Sequence, residues 1–156
     1  MTQYGDAWCG FSGVGMDPDV FESVTYSAAC PDCDAELVCQ GVQALTGARL
    51  RWDVEFSCSA CGCGWASCGA AAPPPERRAQ LLAEHGPARL EVTGPGTAVV
   101  AVMRVLRAEH PGLDPVAAKE EARRVLSGDR AGTLPEMERL ARGLRERGVA
   151  AVAVRP

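Results

Sequence analysis

Cys30-Pro31-Asp32-Cys33 and Cys58-Ser59-Ala60-Cys61 decide how the first half of this 156-residue chain is built. Each C-x-x-C pair brings two sulfurs close enough to share one ion, and the two pairs together offer the four thiolates of a closed tetrahedral site. The chain has eight cysteines. The opening Met1-Thr2-Gln3-Tyr4-Gly5-Asp6 carries neither a basic stretch nor an apolar run, so no secretion signal is read there. Thiols kept in a reducing cytoplasm bind metal more readily than they pair as disulfides. One structural Zn2+ on Cys30, Cys33, Cys58 and Cys61 is therefore expected.

Between the pairs the sequence reads as a hairpin. Arg49–Ser57 alternates without a fault: Leu50, Trp52, Val54 and Phe56 fall on one face, Arg51, Asp53 and Glu55 on the other. That period of two is the pattern of a half-buried strand, and it runs directly into Cys58. Glu36–Ala44 precedes it, with Thr46-Gly47 as the turn, and Glu22–Ala29 reads as a further strand with Val24, Tyr26 and Ala28 facing one way. Two knuckles flanking a hairpin resemble a zinc ribbon, here with three strands. So small a sheet buries too little apolar surface to stand alone, and a structural metal supplies the missing stability.

Four cysteines remain. Cys39 lies mid-strand and reads as a small buried side chain. Cys9, Cys63 and Cys68 are open to two readings: a second zinc site, or thiols packed beside Trp65, with Cys63 also able to replace a neighbouring ligand. Upstream of the first strand, Trp8 and Phe11 are costly to leave in water and are expected to pack on the ribbon.

Gly69-Ala70-Ala71-Ala72-Pro73-Pro74-Pro75 reads as a linker, because consecutive prolines favour extended chain. A short helix, Glu76 to His85, follows and stops at Gly86-Pro87. The expected organisation is a ribbon with its N-terminal tail over 1–68, a proline-rich linker and short helix over 69–87, and an α+β domain over 88–156. In the last part, Arg89–Thr93 is a strand and Ala98–Glu109 an apolar helix. Asp114-Pro115 caps a helix to about Leu126, and Thr133-Leu134-Pro135-Glu136 is a capping box for another, with Met137, Leu140 and Leu144 inward. Val149–Val154 closes as a strand. The fold class is thus α+β, a small zinc-bound β-ribbon joined to a β-α-α-α-β two-layer sandwich.

Residues 88–156 resemble the C-terminal domain of the bacterial ribosomal stalk protein. The likeness begins at Val102-Met103-Arg104-Val105-Leu106-Arg107, where that family reads Val-Ile-Lys-x-Val-Arg. It continues through Gly112-Leu113, Ala118-Lys119 and Val125 to Gly148 before the last strand. The family has a second lysine where this chain has Val116. The resemblance implies a partner-binding face at Arg104, Arg107 and Lys119, with Arg123 a helical neighbour of Lys119. It implies a translational GTPase or the ribosome as partner. The same fold serves the bacterial adaptor that delivers N-degron substrates to a protease. That family's Asn-Asp pair after the first strand is replaced here by Thr93-Gly94-Pro95, which argues against delivery by that route.

Charge sharpens the choice of partner. Residues 1–72 hold two bases against nine acids, a net −7, and residues 73–156 hold fourteen against eleven, a net +3. The acidic first half disfavours nucleic acid, which selects basic faces, and no apolar run approaches the length of a membrane span. Enzyme chemistry has little to stand on. The two histidines, His85 and His110, sit at helix C-termini where the dipole explains them, and no P-loop, dinucleotide fingerprint or H-E-x-x-H occurs. The reading is a cytoplasmic, non-catalytic zinc-binding adaptor. The alternatives are an accessory factor to a peptide- or protein-modifying enzyme, and a thiol-dependent enzyme or metal carrier using Cys63 and Cys68.

Overall fold

A computed structural model describes residues 18–93 and 98–156. The calls on Trp8, Cys9, Phe11 and Gly94-Pro95-Gly96 lie outside the described residues. The architecture is α+β, with a four-stranded antiparallel sheet, four helices and a two-stranded sheet.

The first sheet runs in chain order: β1 (Val20–Ala29), β2 (Glu36–Thr46), β3 (Arg49–Ser57) and β4 (Gly64–Ala70). It has one strand more than the three expected. Register fixes its faces. Val24 opposes Gly41 and Gly41 opposes Val54, while Tyr26, Cys39 and Phe56 align one step along. The inner face therefore carries Val24, Leu37, Cys39, Trp52 and Val54, all buried. Gly41 is needed there for its missing side chain, since a Cβ would fall 2.2 Å from Cη2 of Trp52. On β4, Trp65 opposes Phe56, and the two rings stack with centroids 4.7 Å apart. All seven residues of this edge strand are exposed.

Two helices cover the inner face, one towards each end. Helix α1 (Pro75–His85) starts on Pro75 and places Leu81, fully buried, among Val24, Leu37, Cys39, Trp52, Val54, Cys30 and Cys58. Three polar contacts hold α1 along β1: Gln80 Nε2 donates to the Thr25 carbonyl at 2.9 Å, His85 Nε2 donates to the Ser23 carbonyl at 2.7 Å, and the Arg77 guanidinium lies 4.2 Å from the centre of the Tyr26 ring. Of the segment read from sequence as linker, Gly69 and Ala70 end β4 and Pro75 opens α1, and the short helix expected after it is present and docked on the sheet.

Beyond α1 come β5 (Arg89–Thr93), α2 (Ala98–Glu109), α3 (Pro115–Leu126), α4 (Leu134–Arg145) and β6 (Ala150–Val154). The expected order of strand, three helices and strand is present, and β5 pairs antiparallel with β6. Between α3 and α4 there is only a one-residue bridge, where Ala88 and Gly132 exchange two backbone hydrogen bonds. Leu90, Val102, Val105, Leu106, Val125, Met137, Leu140 and Leu144 form this part's core. Helix α3 begins at Asp114, whose carboxylate accepts from the amides of Val116 and Ala117, and α4 begins with the Thr133–Glu136 capping box.

Helix α4 also lies against β1, β2 and β3, and what it buries there is polar. The Thr133 hydroxyl donates to Oε1 of Gln43 at 2.6 Å, both side chains being fully buried. Arg142, 5% exposed, donates to the Gly47 and Pro18 carbonyls and to Glu138. Glu22 is buried on β1 and pairs with Arg155 just after β6. Arg78 of α1 forks onto Glu136 of α4 at 2.8 and 2.7 Å. Pairing and hydrogen bonding offset the cost of burying such groups, although Gln43 Nε2 and the Glu22 carboxylate oxygens have no partner in hydrogen-bonding geometry among the described residues.

Candidate metal centre

The site is built by two loops of the same design. Each joins antiparallel strands, β1 to β2 and β3 to β4, and each folds back by the same pair of backbone bonds. In the first, Cys30 N–H donates to the Ala35 carbonyl and Asp34 N–H to the Cys30 carbonyl, at 2.8 and 2.9 Å. In the second, Cys58 N–H donates to the Cys63 carbonyl and Gly62 N–H to the Cys58 carbonyl, both at 2.9 Å. The fourth residue after each leading cysteine must adopt a left-handed backbone. Gly62 does so with φ +76°, and Asp34 with φ +58°, the only described non-glycine residue with positive φ. Aspartate is among the few side chains that accept this conformation.

The loops bring five sulfurs together. The Sγ atoms of Cys30, Cys58, Cys61 and Cys63 all lie within 4.8 Å of one another. Cys30 Sγ is 3.8 Å from Cys61 and 3.5 Å from Cys63, and Cys33 Sγ is 3.6 Å from Cys58. A tetrahedron with metal–sulfur bonds of ~2.3 Å has edges of about 3.8 Å, so these separations are those of thiolates around one ion. The donor set and the spacing fit a metal, and Cys30, Cys58, Cys61 and Cys63 could hold one. Cys30 and Cys58 are buried and belong to the sheet's core cluster, while Cys33 and Cys61 are exposed and Cys63 is half-buried.

The same loops tune the thiols. Amide donation from Asp32, against the effect of burial and with help from Cys33, lowers the Cys30 thiol to about 6. Amide donation from Cys61, again against burial and with help from Ala60, lowers Cys58. Their partners move the other way. The Ala35 amide lowers Cys33, but burial and sharing protons with Cys58, Cys61 and Cys30 outweigh it and raise the thiol to about 12. Cys63 is raised by hydrogen bonding to Cys61 and Cys30 and by burial. The loops thus favour the thiolate at the two leading cysteines and the thiol at Cys33 and Cys63, and an ion that binds a protonated sulfur releases its proton.

Of the residues singled out in the sequence, Cys30, Cys58 and Cys61 meet in the mutually close set. Cys33 touches that set through Cys58. Cys63 belongs to it, although the spacing of the two C-x-x-C pairs did not require a fifth sulfur. The signal for it was local: Cys63 stands in its knuckle where Ala35 stands in the other. Cys68, on β4, is disulfide-bonded. Cys39 is fully buried, donates weakly to the Leu37 carbonyl, and is raised by burial, as an inert core thiol is. An open depression of about 440 Å3, lined by Ala48, Arg49, Leu50, Gly69, Ala71 and Arg139, offers no nucleophile.

Arg104 and Arg107 lie exposed on α2, and Lys119 and Arg123 on α3. Arg123 faces Glu120 of its own helix at 3.8 Å. Arg104, Arg107 and Lys119 make no ion pair among the described residues. Val100, 52% exposed, and Val116, 80% exposed, lie on the same two helices. No protein-family model, curated protein or solved structure matches the chain. Among the described residues, no helix is long and apolar enough to cross a membrane.

Proposed function

We propose that this chain is a non-catalytic zinc protein that works by binding another protein. Zn2+ is the ion in this reading because a tetrahedral set of thiolates suits zinc, which brings no redox chemistry of its own. Four sulfurs close the coordination sphere, leaving no position for substrate, so the ion's role is to hold the two knuckles and hence the sheet. The partner surface is the exposed side of α2 and α3. The observation that carries it is three solvent-facing bases with no ion pair among the described residues, Arg104, Arg107 and Lys119, on helices that also expose Val100 and Val116.

Basic side chains around apolar anchors suit an acidic, amphipathic protein surface. The stalk-protein resemblance names a translational GTPase or the ribosome as such a partner. Capture from a cell lysate with wild type and with Arg104→Glu/Arg107→Glu tests this. Loss of a specific partner, with zinc content unchanged, supports the reading. An unchanged set of captured proteins overturns it.

A further inference from the structure

We propose that the centre is a five-cysteine site in which Cys33 and Cys63 alternate as the fourth thiolate ligand of one zinc ion. Cys30, Cys58 and Cys61 are the constant ligands. The inference rests on the metal reading above and adds to it a ligand that the paired motif does not require.

Three observations carry it. The first is number: a tetrahedral ion takes four thiolates, and five sulfurs lie at or near tetrahedral-edge separations. The second is placement. Cys33 reaches the cluster beside Cys58, at 3.6 Å, and Cys63 reaches it beside Cys30, at 3.5 Å. Each therefore approaches the sulfurs from the opposite knuckle, and the Cys63 sulfur lies within 4.8 Å of those of Cys30, Cys58 and Cys61. The third is anchoring. The Cys63 carbonyl closes the second knuckle by accepting from Cys58 N–H, so its side chain is held at the site by the loop itself. The equivalent Ala35 gives the first knuckle no such extra sulfur.

Exchange needs no outside reagent. The incoming thiol bonds to zinc and passes its proton to the departing thiolate. Four thiolates and one thiol are present before and after, and the net charge of the centre stays at −2 for Zn2+. Cys33 is exposed and Cys63 half-buried, so the cysteine that is released can meet water.

The test uses the full-length chain loaded with Co2+, whose visible absorption distinguishes four thiolate ligands from three. Cys33→Ser and Cys63→Ser are each expected to bind one Co2+ with the four-thiolate spectrum, and the double variant to lose that spectrum. If Cys33→Ser alone loses it while Cys63→Ser does not, the site is an ordinary paired C-x-x-C centre. The reverse result makes Cys63 the sole fourth ligand. Either outcome overturns exchange while leaving the metal reading intact. A wild-type chain that takes up no Co2+ overturns both.

Alkylation of the zinc-loaded wild type with iodoacetamide, mapped by mass spectrometry, gives a readout that needs no variant to fold. Label divided between Cys33 and Cys63 is expected, and label confined to one of them contradicts the proposal.

Discussion

Replacing Leu81 by alanine tests whether α1 is part of the layer that carries the cysteine cluster or a tether beside it. Leu81 is fully buried, and its neighbours in the core cluster include Cys30 and Cys58, the two leading cysteines of the knuckles. Removing a buried leucine's branched end costs the transfer of those carbons plus a cavity term, about 2–5 kcal/mol across well-studied cores. A surface helix pinned by one apolar side chain can settle partway into the gap, so the lower middle of that range, about 3 kcal/mol, applies. For a chain of this length each kcal/mol moves the melting midpoint by roughly 2–4 °C, giving a fall of roughly 6–12 °C. The assay is thermal unfolding by far-UV circular dichroism with zinc in fixed excess, because bound metal raises the apparent stability of both proteins. Leu82→Ala, at a half-buried neighbour, is the control and should cost roughly half as much. A shift below about 2 °C for Leu81→Ala would refute the docking of α1 on the sheet.

Two further outcomes follow from the same contacts. Gly41→Ala puts a Cβ 2.2 Å from Cη2 and 2.4 Å from Cζ2 of Trp52, where ordinary contact begins at 3.4 Å. Overpacking should cost about 1–3 kcal/mol and alter the tryptophan near-UV signal, and a wild-type midpoint would show a looser seat than described. Glu136 is held below the usual carboxylate range: burial alone would raise it, but the Arg78 fork, the Thr133 amide and Gln43 outweigh that. A depressed folded-state value means its contribution is present above the unfolded-state pKa of about 4.3 and fades as pH falls through the lower folded value. Urea titrations from pH 6 down to pH 3 should therefore show acid destabilisation that is reduced in Glu136→Gln. An identical pH slope in the two proteins would remove Glu136 as a contributor.

Elements with a strong local signal were legible in the sequence. The strict alternation of Arg49–Ser57 is β3 residue for residue, and the Asp114 and Thr133 caps place the starts of α3 and α4. Strand β4 was not legible. Gly64, Ala66, Gly69 and Ala70 have little strand preference, and an edge strand exposed at every residue shows no buried face to alternate with. It forms because β3 offers an unpaired edge and the second knuckle turns the chain back onto it.

The contacts of α4 with the sheet were hidden for another reason. Thr133 and Gln43 are 90 residues apart and Arg142 and Gly47 are 95 apart, and a polar residue that is satisfied only by tertiary partners looks like a surface residue in sequence. At the metal centre the paired cysteines were plain. The nearness of Cys63, which the sequence left open as a replacement ligand, follows from a backbone equivalence of the two loops, Asp34 with Gly62 and Ala35 with Cys63.

X-ray absorption at the zinc edge of the purified full-length chain tests the central claim most directly. A closed thiolate centre predicts one zinc per chain with four sulfur neighbours at about 2.3 Å and no nitrogen or oxygen in the first shell. A mixed shell with light-atom ligands, or a chain that carries no zinc, would contradict it.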